Sequence, residues 1–313
     1  MDRFAAIANL MERNRISTRQ GLIDVVRKTP KLREDGGTLG HGEVILRHAR
    51  VMEGLGMLTL QQQEGWILSG TGRGVVALSK RNECGDLTES EQVAFLRTLV
   101  VTNFGHVWAI LEALSNATED SMKIALQYAS YIVQFVHSSQ IQQVEKWVKS
   151  SQESGKAHRS LTNKVFVLSR WLEQLDLLLH SQLTASGRQL KEELLTVRQQ
   201  PNAHSFEVTT KAYASRNSRI SYPADAQDAA TAIKEAAQLL KGSGARRSGL
   251  RAINFDTLAI VVGVTLAKRG IWLEKDVLET MIKRYPEQMG VRSASRGRAG
   301  TLSQVTLATE SVL

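Results

Sequence analysis

Val51-Met-Glu-Gly-Leu-Gly-Met-Leu58 recurs as Trp171-Leu-Glu-Gln-Leu-Asp-Leu-Leu178, and Leu68-Ser-Gly-Thr-Gly-Arg73 recurs as Leu183-Thr-Ala-Ser-Gly-Arg188. The first pair is offset by 120 residues and the second by 115, so the second copy is five residues shorter between its blocks. Two paired blocks in the same order point to a structural repeat. In the first copy Val44, Ile45, Val51, Met52 and Leu55 fall at helical spacing, and Gly54 and Gly56 weaken the helix where it should stop. Thr59-Leu-Gln and Trp66-Ile-Leu flank Gln-Gln-Glu-Gly65, where glycine permits the positive φ of a tight hairpin. Ser69 or Thr71 can cap the next helix, through Leu78, and an earlier helix is expected in Thr18 to Lys28. In the second copy Lys164 to Leu179 supplies the helix and only His180-Ser-Gln remains for a hairpin.

Between the copies, Thr88 and Glu91 form a capping-box pattern that opens a helix through about Val101. Helices at Gly105 to Leu114, Glu119 to Val136 and Ile141 to Gln152 complete a helical middle, with Trp108, Tyr128, Tyr131, Phe135 and Trp147 read as core. Pro201 to Tyr222 is polar and aperiodic and reads as a linker or extended loop. Asp225 to Lys241 is an alanine-rich helix, and Gly242-Ser-Gly-Ala-Arg-Arg-Ser-Gly249 reads as a flexible basic joint between two lobes.

Beyond that joint, Asp256 can cap a helix carrying Leu258, Ile260, Val261, Val264 and Leu266, which ends at Gly270. After a turn at Ile271-Trp272-Leu273, a helix from Glu274 to Tyr285 places Val277, Leu278, Met281, Ile282 and Tyr285 on one face, and Pro286 ends it. Gly290 to Ser295 and Thr301 to Leu307 form two strands around Arg296-Gly-Arg-Ala-Gly300. This order resembles the winged-helix superfamily, most specifically from Glu274 to Leu307, and the pattern extends over three units. The resemblance implies that the second helix enters the major groove while the hairpin follows phosphates. It assigns groove or backbone contacts to Thr280, Lys283 and Arg284, and hairpin contacts to Arg292, Arg296 and Arg298. Arg246 and Arg247 of the joint add positive charge. His41, Arg47 and Arg50 lie on the exposed side of the equivalent N-terminal helix, but the hairpin there is not basic and suits a protein partner as well.

Charge follows the same division. Residues 1–85 carry 13 Lys+Arg against 9 Asp+Glu, residues 86–240 carry 15 against 16, and residues 241–313 carry 12 against 6. Positive charge gathered on one module is the footprint of phosphate binding, although an acidic partner or anionic membrane attracts it too. No Asp-x-Lys or Glu-x-Lys nuclease pair, H-x-x-x-H spacing, phosphate-binding G-x-x-x-x-G-K loop or G-x-S-x-G elbow occurs, and Gly70-Thr-Gly-Arg-Gly74 lacks the loop lysine. The acidic pairs Glu34-Asp35, Glu119-Asp120 and Glu192-Glu193 read as solvated surface. The one cysteine, Cys84, cannot form an internal disulfide, the first residues carry no secretory pattern, and the longest apolar run, Leu258 to Ala267, is half a membrane span.

The expected fold is mainly α with short β-hairpins, as tandem winged-helix-like units around a helical middle. Its parts are a unit at 1–85, a helical middle with a degenerate second unit at 86–200, a linker with a helix at 201–249 and a basic unit at 250–313. The expected protein is cytoplasmic and non-catalytic, with no cofactor, metal or membrane. Its expected partners are double-stranded DNA and other protein subunits, with a role in transcription regulation or a restriction and defence system. The alternative is an interaction scaffold within a larger complex.

Overall fold

The repeated blocks build the same turn twice. The computed structural model describes residues 1–29, 42–61, 65–79, 84–116, 120–241, 245–247, 250–297 and 300–307, with the backbone alone for 245–247 and 250–251. Helices α1 (Asp2–Asn14) and α2 (Arg19–Lys28) precede α3 (Gly42–Gly54), strands β1 (Leu58–Gln61) and β2 (Gly65–Leu68), and α4 (Gly70–Ser79). Helices α5 (Glu89–Asn116), α6 (Ser121–Ile132) and α7 (Ser138–Ser154) lead to α8 (Arg159–Gln174), strands β3 (Leu178–Leu179) and β4 (Gln182–Leu183), and α9 (Ala185–Thr196). Helix α8 starts five residues before the expected Lys164 and stops at Gln174 rather than Leu179.

After α3, Leu55 N–H bonds Val51 C=O, Gly56 turns at φ +68, and Met57 N–H reaches Met52 C=O. After α8, Leu175 N–H bonds Trp171 C=O, Asp176 turns at φ +54, and Leu177 N–H reaches Leu172 C=O. Leu58 pairs with Leu68 as Leu178 pairs with Leu183. Ser69 and Thr184 then cap α4 and α9, accepting from Gly72 N–H (3.0 Å) and Gly187 N–H (3.1 Å), so Ser69 rather than Thr71 is the cap. The same hydroxyls donate back to Gly56 C=O and Asp176 C=O. A Cβ on Gly72 would stand 2.2 Å from Met57 O, and one on Gly187 2.2 Å from Leu177 O, which is why both copies hold glycine there.

The five-residue difference falls within the hairpin. Strands β3 and β4 are joined by His180 and Ser181, both at positive φ, as a two-residue hairpin turn demands. The tip of the first hairpin, 62–64, lies outside the described residues, as do His41, Glu34, Asp35 and Glu119. Gly65 takes the positive φ expected of it, +156, and has a second role. Its Cβ would lie 2.3 Å from Ser17 O, so it lets β2 press against the start of α2.

Thr88 and Glu91 form the expected reciprocal cap, with Thr88 N–H to Glu91 Oε2 at 2.7 Å and Glu91 N–H to Thr88 Oγ1 at 3.3 Å. The two helices expected from there to Leu114 are one span kinked at Asn103 (φ −132, ψ 27). By length and composition α5 is the one described helix long and apolar enough to cross a membrane. It is covered by α4, α6, α8 and α9, with Glu91 buried and Arg97 half-buried in its first half. Trp108 meets Tyr131 and Phe135 edge-on in the core of the helical middle.

Pro201 to Tyr222 is not a loop. Ser205–Ala214 is helix α10, buried through Phe206, Val208, Thr209, Thr210, Ala212 and Tyr213, and packed on α5 and α9. Its polarity hid it, because small hydroxyls such as Thr209 turn back to the helix, here Ser205 C=O at 2.6 Å. Tyr222–Pro223 (β5) then runs parallel to Ile271–Trp272 (β8), so two residues of the turn expected at Ile271-Trp272-Leu273 are a short strand. Helix α11 (Ala226–Leu239) opens on a capping box between Asp225 and Asp228. Part of the expected flexible joint is also strand. Ala245–Arg247 (β6) pairs with Leu250–Asn254 (β7), while 242–244 and 248–249 lie outside the described residues.

Helix α12 (Phe255–Ala267) is capped by Asn254, one residue pair ahead of the expected Asp256, and is apolar almost all round. Such a helix must be wrapped. It packs on α4, α5, α10 and α11, and glycines make the close approaches. A Cβ on Gly74 would lie 2.9 Å from Ile260 Cγ2, and one on Gly263 would lie 2.2 Å from Phe206 Cε1. Helix α13 (Lys275–Arg284) and strands β9 (Val291–Arg296) and β10 (Leu302–Leu307) follow, giving a sheet of order β6-β7-β10-β9. The described chain is thus mainly helical with short, mostly antiparallel strand pairs.

Candidate nucleic-acid interface

Helix α13 is anchored through Leu278 and Ile282, both about 1% exposed. Val277 and Tyr285, expected beside them, are instead exposed at 43% and 53%. The outward face therefore holds Val277, Thr280, Lys283 and Arg284, the last three at the i, i+3, i+4 spacing of one helical stripe. Thr280 Oγ1 donates to Asp276 C=O at 2.8 Å, which leaves its lone pairs outward.

Glu279, which sequence reading missed, joins the helix to the sheet. Its carboxylate accepts from Leu302 N–H at 2.9 Å, at the start of β10, and pairs with Lys283 Nζ at 2.6 Å. Burial alone would raise its pKa, but the Lys283 and Leu302 hydrogen bonds and the charges of Lys283 and Lys275 outweigh that and hold it below the ordinary glutamate value. Lys283 Nζ also donates to Gly300 C=O at 3.2 Å. Lys283 is therefore a strut between helix and hairpin as well as a surface cation. The signal was present in the sequence as a Glu–Lys pair at i, i+4.

The hairpin closes with Gly297 N–H to Thr301 C=O at 2.8 Å, Gly300 taking φ +74. Strand β9 is a sheet edge, and Arg292 and Arg296 on it are exposed. Register shifts between Thr306 and Leu307, where Arg292 has no ladder partner. Arg284, Arg292 and Arg296 meet no acidic partner among the described residues. At the other edge, β6 carries Arg246 and Arg247, with Arg246 in register with Arg251. Both edges of one small sheet are thus basic in sequence. Arg298 lies outside the described residues. Arg47 and Arg50 are exposed on α3, one turn apart, on a different unit.

Guanidinium groups without carboxylate partners retain donors for phosphate oxygens or guanine edges. The acidic pair Glu192-Glu193 is not all solvation, because Glu193 holds Lys211 at 2.9 Å and ties α9 to α10. Among the described residues no group of three or more His, Cys, Asp or Glu could hold a metal ion. No family model, curated protein or solved structure matches the chain.

Proposed function

We propose that the chain is a non-catalytic DNA-binding protein, a recognition or regulatory subunit, whose C-terminal unit works as a winged helix. In this reading α13 lies in the major groove and the β9–β10 hairpin follows the phosphates. The observation that carries it is the strut. Glu279 and Lys283 fasten the exposed Thr280–Arg284 stripe to Leu302 and Gly300 of the hairpin whose edge strand bears Arg292 and Arg296. Helix and hairpin would meet a duplex as one surface, with the phosphate term supplied by the arginines and base readout by Thr280 and Arg284. The repeated helix–hairpin–helix segments fit two further winged-helix-like units, the second with the shortened hairpin.

The test is duplex binding across a salt series. Arg292→Ala with Arg296→Ala should weaken binding to every sequence and lower the log–log salt slope by about 2. An unchanged affinity and slope would remove the hairpin from the interface. Arg284→Ala, if Arg284 reads a base, should cost about 1–3 kcal/mol and relax the preference at one position.

A second reading, a protein-binding subunit, has its own observation. On α8, the counterpart of α3, Phe166 and Val167 are 62% and 42% exposed, and they line a groove of about 980 Å³ with Arg170 and Trp171. Where α3 shows Arg47, α8 shows Val167 beside Phe166, while Arg170 stands in the place of Arg50, and the exposed Phe166–Val167 pair suits an apolar partner helix. Phe166→Ser with unchanged DNA affinity but lost co-purification of a partner would favour it.

A further inference from the structure

Helices α5 to α8 enclose a cavity of about 230 Å³. Its apolar walls are Ile132, Val136, Val144 and Leu161 with the Trp147 ring, and its polar groups come from His106 and Tyr128 within, from Gln140 and Gln143 on α7, and from Lys164 at the rim. Tyr128 is 1% exposed and its hydroxyl stands 2.6 Å from His106 Nδ1, so the two polar groups satisfy each other. Burial, and secondarily the Lys164 charge, lowers the His106 pKa to about 4, so the imidazole is neutral at pH 7. Partial burial also lowers the pKa of Lys164. No Asp or Glu lines the cavity, and Lys164 meets only the Trp147 ring among the described residues, with Nζ 5.4 Å from the centroid.

We infer that this cavity is a binding site for a small carboxylate with a compact apolar body, the carboxylate held by Lys164 and the body by the four aliphatic walls. A cation beside an apolar hollow, with no anion to neutralise it, selects for a ligand that brings both features. Size sets the upper limit. Pockets that bury drug-sized ligands run to about 300–1,000 Å³, so this smaller space admits a single ring or a short chain rather than a nucleotide. The inference concerns helices α5–α8 and is independent of the DNA-binding surface.

Benzoate, and benzamide as its neutral isostere, are the probes, titrated by calorimetry against the full chain with Trp fluorescence in parallel. Benzoate should bind and benzamide should bind about tenfold more weakly or not at all, the difference a single charge-assisted contact makes. Lys164→Met, which keeps the stem at an exposed rim, should bring benzoate down to the benzamide level. Val136→Phe, which fills the hollow, should abolish binding of both. Equal binding of benzoate and benzamide, benzoate affinity left above the benzamide level by Lys164→Met, or benzoate binding that survives Val136→Phe would overturn the assignment, as would no benzoate binding at all.

Discussion

Glu274 shows how one buried carboxylate couples the C-terminal unit to the helical layer and leaves a trace in pH dependence. At 6% exposure it accepts from Glu207 N–H at 2.8 Å, acting as a cap for α10 supplied from the start of α13. Burial raises its pKa to about 7, against the opposing pull of backbone N–H groups and Arg97. An acid whose folded pKa exceeds its unfolded value near 4.5 loses stability as pH rises between the two, because the unfolded chain gives up its proton first. Glu274→Gln removes that penalty while keeping an acceptor. The variant should therefore gain on the parent by about 3 kcal/mol between pH 4.5 and pH 7, read from urea midpoints across that range. A difference that stays constant with pH would refute the argument. His106 works in the opposite sense, since its depressed pKa removes stability as pH falls from 6.5 toward 4. At this scale the sequence was half legible. Thr88 declared itself as a cap because a cap needs only its own neighbours. Glu274 and the His106–Tyr128 pair did not, because their meaning comes from residues 67 and 22 positions away.

Elements carry the repeat, and its glycines offer a paired test. Gly72 and Gly187 sit at matched positions where a methyl group would meet a backbone carbonyl at 2.2 Å. Gly72→Ala and Gly187→Ala should each destabilise by about 2–3 kcal/mol, since backbone cannot give way as a side-chain tip can. Gly54→Ala, at a helix end with nothing within 4 Å of the added carbon, should be neutral or stabilise by up to about 1 kcal/mol. Chemical denaturation of the three variants checks this. Equal effects at all three would mean the turns are not built as described. Helices and hairpins of this kind were legible because period and turn chemistry are local. Helix α10 was not, because nearly all its sides are buried and Ser, Thr and Ala stand where an apolar stripe would have marked it. The same reason hid β6, a three-residue strand in basic sequence that exists through its pairing with β7.

Across the whole molecule, α12 is the piece on which both parts of the core depend. Ile260, Val264 and Ala267 belong to the core that contains α1 to α10, whereas Phe255, Leu258, Val261, Val262 and Leu266 face α11 and the sheet. A chain ending at Lys241 therefore removes more than a basic module, because it strips the cover from α4, α5 and α10. Such a truncation should melt well below the full chain or aggregate, in a thermal scan followed by circular dichroism. Cooperative melting at the full-length midpoint would show that α12 is dispensable. Point substitutions in the hairpin are accordingly the sound way to test the proposed DNA binding. The same arrangement bears on biosynthesis. At about 5–20 residues per second, α4 leaves the ribosome roughly ten to forty seconds before α12 is complete. Through that interval the nascent chain shows an uncovered apolar face, which makes it a client for chaperones that hold unfinished proteins.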